Sequence, residues 1–239
     1  MFAKRKVQFG IGALVVAAGF LANALVAAPA AREKETKTTK TAAKETVKAA
    51  PKIVSTGTQP KAGQQVASFA GGCFWSLDAM FKQLKGVSSA EPGYGGGKTA
   101  NPTYEQVGAG KTGHAETINI IFDPKVISYR ELLDVLFTVH DPTTLNRQGA
   151  DEGTQYRSAI WARDVAQKEI AQAAIKDWNA AKTWKNPIVT EVTDFSNFYR
   201  AEDYHLDYYN QNPKEQYNKY VIAPKIEKFH AKFKAKLKA

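Results

Sequence analysis

From Arg32 to about Lys61 the chain is built of Lys, Thr, Ala and Glu with almost no large apolar side chain. Such a stretch cannot bury enough surface to offset the entropy of ordering it, so it reads as a disordered tether over residues 32–63. Everything that folds must then be made from residues 64–239. That is enough chain for one substantial core of about 170–180 residues, held mostly by apolar burial. Ahead of the tether, Lys4, Arg5 and Lys6 precede a segment with no charged residue until Arg32 and with Ile11, Leu14, Val15, Val16, Phe20, Leu21, Leu25 and Val26. Residues 1–31 are expected to be a membrane-directed segment. A signal peptide cut at Ala22-Asn23-Ala24 or Ala28-Pro29-Ala30 is favoured over an uncleaved inner-membrane anchor. Either way the domain is expected outside the cytoplasm, periplasmic or secreted.

The net charge of +10 owes much to the tether and to the C-terminal lysines. That balance fits a solvated or surface-associating tail better than a nucleic-acid site, and no finger, recognition helix or aromatic-studded RNA-binding sheet is present. Cys73 is the only cysteine. A disulfide framework within the chain is therefore excluded, and without a Cys–His cluster no structural zinc site is expected.

Along the folded part, Gln65 to Ala70 reads as a short buried strand ending at a Gly71-Gly72 turn. Phe74, Leu77, Phe81 and Leu84 follow at helical spacing, with Gly86 as the stop. Val87 to Lys98, glycine-rich and carrying Tyr94, reads as a loop. His114 to Phe122 alternates as a strand with Glu116, Ile118, Ile120 and Phe122 on one face. Ser128 and Glu131 have capping-box spacing ahead of Leu132, Leu133, Val135, Leu136 and Val139, and that helix should end near His140-Asp141-Pro142. A polar loop follows from Thr143 to Gln155, then a strand from Tyr156 to Ala162. Asp164 and Gln167 cap a helix to about Ala181, Ile188 to Val192 is another strand, and Phe195 to Asn212 is an aromatic, polar segment. Ile226, Phe229, Phe233 and Leu237 mark a docking helix. The expected fold is α+β: a two-layer sandwich of a small mixed sheet with helices packed on it, a ferredoxin-like plait.

Two positions carry chemistry. Cys73, between a strand and a helix start, is either a small buried hydrophobe or a reactive thiol favoured as thiolate by the helix N-terminus. Gly71 and Gly72 before it, and Phe74 and Trp75 after it, suggest a ligand approaching an apolar pocket. Glu116, in line with three large apolar side chains, either reaches water at a strand end or is desolvated and holds a proton near neutrality. His205 and His230 read as structural, and Trp161, Trp178 and Trp184 as core or edge aromatics.

Gly72-Cys73-Phe74-Trp75 together with Gly113-His114-Ala115-Glu116 resembles the peptide methionine sulfoxide reductase A family. The likeness continues through His140-Asp141-Pro142-Thr143-Thr144, Asn146 to Asp151, Gly153 to Ser158, Ala201-Glu202-Asp203-Tyr204-His205 and Val221-Ile222-Ala223-Pro224-Lys225. The blocks lie in the family's order over about Val66 to Phe229. The resemblance implies reduction of methionine S-sulfoxide, free or in proteins, to methionine. Cys73 would be the nucleophile, Glu116 would protonate the sulfoxide oxygen, and Tyr94 and Tyr156 would hydrogen-bond it. Phe74 and Trp75 would hold the methyl group, and Asp151 would support the substrate and reductant steps. The residue types suit that chemistry: a sulfoxide oxygen leaves only once protonated, a thiolate attacks better than a thiol, and the methyl–sulfur end is apolar.

The chain departs from the family where many relatives carry a resolving cysteine. After Asn212-Pro213-Lys214-Glu215-Gln216-Tyr217 comes Asn218. No bound cofactor is expected, and a sulfenic acid on Cys73 would need an external thiol: thioredoxin-like, glutaredoxin-like or a small thiol. The expected partners are that reductant and oxidised proteins or free methionine sulfoxide, met by a monomer. Two rivals remain, a hydrolase using Cys73, His114 and Asp151, and a non-catalytic basic surface-binding module.

Overall fold

A computed structural model describes residues 54–239. The signal or anchor of residues 1–31 and most of the tether lie outside the described residues. The strands are β1 (Val54–Ser55), β2 (Gln65–Gly71), β3 (Val87–Gly95), β4 (Ala115–Phe122), β5 (Arg147–Gln148), β6 (Asp151–Glu152), β7 (Ser158–Ala162), β8 (Glu191–Asp194) and β9 (Asn197–Arg200). The helices are α1 (Phe74–Phe81), α2 (Tyr104–Gly108), α3 (Tyr129–Val139), α4 (Val165–Ala180), α5 (Tyr208–Gln211) and α6 (Ala223–Phe233).

Seven strands form one mixed sheet in the order β1-β9-β3-β4-β2-β7-β8, and β5 pairs with β6 separately. Within it β2-α1-β3 and β4-α3-β7 are two split crossovers: β2 pairs antiparallel with β4 and β7, and β3 antiparallel with β4. Helices α1, α3 and α6 close over one face, where Phe69, Phe81, Ile118, Phe122, Leu133, Leu136, Phe137 and Phe229 make the main apolar core. Both outer pairings, β1 with β9 and β7 with β8, are parallel.

Local chemistry fixes several boundaries. The Ser128 side chain accepts from the Glu131 N–H while Glu131 reaches back to Ser128, so α3 starts where the spacing predicts. Asp164 accepts from the Gln167 N–H at 2.7 Å and starts α4.

Four segments differ from expectation. Val87–Gly95 is a strand rather than a loop, because both its neighbours, β4 and β9, supply backbone partners that its glycines do not advertise. The strand placed at Ile188 to Val192 lies at Glu191–Asp194, set by pairing with β7. The aromatic segment contains β9. Val54 and Ser55, which composition assigns to the tether, pair with Asn197 and Phe198 of β9.

Candidate functional site

Cys73 caps the N-terminus of α1 just past the end of β2, and its side chain makes no capping bond. Gly72 before it has φ +84, and a Cβ there would lie 2.5 Å from Gln148 Cγ. A left-handed residue without a side chain is needed to turn the thiol inward. On β4, Glu116 lies opposite Tyr94 of β3. Its Oε2 accepts the Phe74 N–H at 3.0 Å, so the first free amide of α1 is aimed at the carboxyl. Cys73 is 5% and Glu116 2% exposed.

Burial sets the electrostatics of the pair. It pushes the Glu116 carboxyl up to about 8, against the Phe74 N–H and with help from Asp151. It also raises the Cys73 thiol, reinforced by Glu116 and Asp151 and opposed by the Trp75 amide and Tyr217. The expectation that the helix start favours a thiolate is therefore corrected. Here desolvation and two nearby carboxyl groups outweigh the helix field, and Cys73 rests as a thiol beside a protonated Glu116.

The other expected residues gather round this pair. Phe74 is fully buried, its ring centroid 5.9 Å from Tyr94 and 6.4 Å from Tyr104. Trp75 stacks on Tyr208 at 3.8 Å between centroids. The half-buried Tyr156 lies within the field of Glu116, Cys73 and Asp151, which adds to burial in raising its hydroxyl. Asp151 accepts the Tyr217 hydroxyl at 2.6 Å. Tyr94 is fully buried and donates its hydroxyl to Glu202 Oε2 at 2.6 Å.

Five further residues were not assigned from sequence: Tyr104, Glu202, His205, Tyr208 and Tyr217. Glu202 also accepts the Tyr104 N–H at 3.0 Å. His205, read as structural, is fully buried among Phe74, Trp75 and Tyr104 and accepts the Trp75 indole N–H at 3.0 Å. The signal was present in the Ala201–His205 and Asn212–Tyr217 blocks, but neither has a periodicity that points it at Cys73. Asn218 is buried, and its side-chain amide donates to the Asn212 carbonyl at 2.7 Å.

His114, the base a hydrolase would need, is committed elsewhere. Its Nδ1 accepts the Gly97 N–H at 3.1 Å and its Nε2 lies 2.8 Å from the Thr99 carbonyl. Neither ring nitrogen is free for Cys73. Among the described residues no group of three or more His, Cys, Asp or Glu side chains could hold a metal ion.

A lone buried thiol next to a protonated carboxyl, walled by aromatic rings, defines the class: an enzyme that uses a cysteine and a carboxylic acid on an apolar substrate. The family model described as peptide methionine sulfoxide reductase matches residues 65–237. Peptide methionine sulfoxide reductase MsrA of Sulfolobus acidocaldarius is 52% identical over 169 residues, covering 71% of this chain and 95% of its own. That of Polynucleobacter asymbioticus is 48% identical over 169 residues, 71% of this chain and 89% of its own. Among solved structures, reduced Mxr1 from Saccharomyces cerevisiae superposes with a TM-score of 0.65 at 32% identity, covering 72% of this chain and 97% of that one. The methionine sulfoxide reductase A of Corynebacterium diphtheriae gives 0.60 at 32% identity, covering 70% and 87%. The chain belongs to the peptide methionine sulfoxide reductase family; it is an oxidoreductase that reduces methionine sulfoxide.

Proposed function

We propose that the chain reduces methionine S-sulfoxide, free or within proteins, at Cys73, with Glu116 as proton carrier and an external thiol closing the cycle. The observation that carries this reading is the burial of Glu116 against Cys73, which keeps the carboxyl protonated up to about pH 8. Phe74 and Trp75 hold the substrate methyl group, and Tyr156, with Tyr104 in the same field of Glu116 and Cys73, hydrogen-bonds the sulfoxide oxygen; the Tyr94 hydroxyl, expected from sequence in that role, is held by Glu202 instead. Asp151 acts beside them through Tyr217.

The protons balance without a resting thiolate. Glu116 gives its proton to the sulfoxide oxygen as Cys73 Sγ attacks the sulfoxide sulfur, and the emptied carboxylate takes the thiol proton. The new S–S bond and the S–O bond then break as oxygen passes to Cys73. Methionine leaves reduced and Cys73 remains as sulfenic acid, two electrons oxidised. A first external thiol attacks that sulfur, releasing water and forming a mixed disulfide; a second releases Cys73 and the oxidised reductant. Cys73 is the only cysteine, so no disulfide within the chain can substitute.

The uncharged N-terminal segment behind Lys4-Arg5-Lys6 supports export and repair of oxidised exported proteins. N-terminal sequencing of the protein recovered from cells separates cleavage after Ala24 or Ala30 from an uncleaved anchor.

The activity is tested with both sulfoxide epimers and dithiothreitol, beside Cys73→Ser. Turnover of the S epimer alone, lost in the variant, is expected. Without thiol, about one methionine per enzyme should be released and a trappable sulfenic acid left. Turnover of the R epimer, an active Cys73→Ser, or repeated turnover with no thiol overturns the reading.

A further inference from the structure

The chain has no second thiol, so whatever reduces Cys73 must be brought to it. A cavity of about 190 Å³ lies behind the turn that presents Cys73, lined among others by His140, Asp141, Gln148, Trp184, Lys225 and Lys228. Two of these walls pack directly on that turn. A Cβ on Gly71 would lie 3.1 Å from the His140 ring, and one on Gly72 would lie 2.5 Å from Gln148 Cγ.

Most polar groups of the walls are matched within the protein. His140 Nδ1 lies 2.7 Å from the Leu136 carbonyl and Nε2 lies 2.8 Å from Ser158 Oγ. The Gln148 amide accepts from the Asp141 N–H at 3.2 Å and donates to the Asp141 carbonyl at 3.0 Å. Asp141 Oδ1 accepts the Thr143 N–H at 2.9 Å and the Thr143 hydroxyl at 2.7 Å. What is left over is of one kind. The Trp184 indole N–H is buried and meets no protein acceptor. Lys225 is half-buried, and among the described residues its ammonium makes no hydrogen bond or ion pair. Lys228 adds a second positive charge at the exposed rim. Burial holds His140 down to about 4 and hence neutral, so two lysines face the single carboxylate of Asp141 and the cavity is positive. A buried donor without an acceptor is costly, and donors left over beside a positive charge call for a group that only accepts. Lys225 also lies within reach of the site: burial lowers it, and the charges of Cys73 and Asp151 raise it.

We propose that this cavity is an anion subsite for the external thiol, and that the thiol it selects is a small molecule carrying a carboxylate. Lys225 and the Trp184 N–H hold the carboxylate while the sulfur reaches Cys73. The volume suits an acid of about propionate size. The sulfur attacks the Cys73 sulfenic acid: an S–S bond forms, the S–O bond breaks, and the thiol proton leaves with the hydroxyl as water. A second such thiol attacks the sulfur of the first. It gives the oxidised thiol, and its proton returns Cys73 to the thiol form. This inference rests on the external-thiol cycle proposed above.

In the full-length protein, one equivalent of methionine S-sulfoxide loads Cys73 as sulfenic acid. The rate of its loss is then followed with mercaptopropionate and with mercaptopropionamide, which lacks the charge, and compared per thiolate. The acid should react about tenfold faster than the amide at low concentration, and its rate should saturate. Excess propionate, which has no sulfur, should slow the acid and not the amide. Lys225→Met should bring the acid-to-amide ratio to about one, Lys225→Arg should keep most of it, and Trp184→Phe should lower it about threefold. In the reduced protein, proton–nitrogen NMR should show the Trp184 indole N–H moving downfield as propionate is added, a shift that a merely structural lysine would not produce. Matching acid and amide rates in the wild type, a ratio that survives Lys225→Met, or an indole signal unmoved by propionate overturns the subsite. Methionine released on loading is measured in the same experiment. Release of about one per enzyme with matching acid and amide rates overturns the subsite alone, and no release overturns the reductase reading itself.

Discussion

Two glutamates lie beside Tyr94 and settle in opposite states. Glu116, opposite Tyr94 on β4, is 2% exposed and accepts one protein N–H, and burial lifts it to about 8. Glu202 has a side chain 34% exposed and accepts the Tyr94 hydroxyl and the Tyr104 amide, and it stays ionised. Both are glutamates, so the hydrogen-bond supply and the water left at each oxygen decide which one holds a proton. One side of the site can give a proton; the other can only hold one in place.

The sharpest way to break this contrast is Glu116→Gln, which removes the transferable proton and keeps an acceptor for the Phe74 N–H. Catalytic efficiency with methionine S-sulfoxide should fall about 100- to 10,000-fold. Stability should move the other way. Native Glu116 keeps its proton to about 8 whereas the unfolded chain releases it near 4.5. The native state thus binds more protons between those values, and the protein loses stability as pH rises through that window. The amide has no such cost, so the variant should be more stable than the wild type by about 3 kcal/mol at pH 7 and by less than about 1 kcal/mol at pH 5. Urea unfolding at the two pH values checks it; a constant difference would mean that Glu116 is not protonated in the native protein.

A pH–rate profile sharpens the same point with less disruption. Activity should decline above about pH 8 as Glu116 ionises. The negative charge of Asp151 contributes to that high value, so Asp151→Asn should move the alkaline limb to lower pH. The same change should make Cys73 easier to ionise, read as faster alkylation at fixed pH, because Asp151 also helps to raise the thiol.

How far this was legible in the sequence follows the same division. Cys73 and Glu116 were readable because each sits in a local pattern: a glycine turn before a helical apolar repeat, and an alternating strand. The fate of the Cys73 proton was not, since the helix-start argument weighs only one neighbour, whereas Glu116 and Asp151 arrive from β4 and β6. Likewise β3 was hidden. Gly93 and Gly95 look like loop residues, yet a Cβ at Gly93 would lie 2.3 Å from Phe198, and the close approach of β9 is what demands glycine there. Glu202 and His205 lie in a block that carries the family likeness but no periodicity that points it at Cys73. Their roles come from contacts with residues more than 90 positions away.

The smallest effect is expected from a third carboxylate, partly exposed and hydrogen-bonded as Glu202 is. Glu131 is bound by Ser128 at the start of α3 and by Lys236 from the C-terminal tail, which hold it down to about 2. Its linkage is opposite in sign to that of Glu116. Its contribution is present above its unfolded value near 4.5 and is lost as pH falls towards about 2. At 38% side-chain exposure much of that is screened by solvent, so the cap itself is the better handle. Ser128→Ala should cost about 1 kcal/mol of stability, measured by urea unfolding at neutral pH. The cost should shrink in acid as Glu131 is protonated and the reciprocal bonds weaken, whereas the Glu116→Gln difference grows with rising pH. If both variants gave stability differences of the same pH slope, burial and hydrogen-bond supply would not be what sets these carboxyl groups apart.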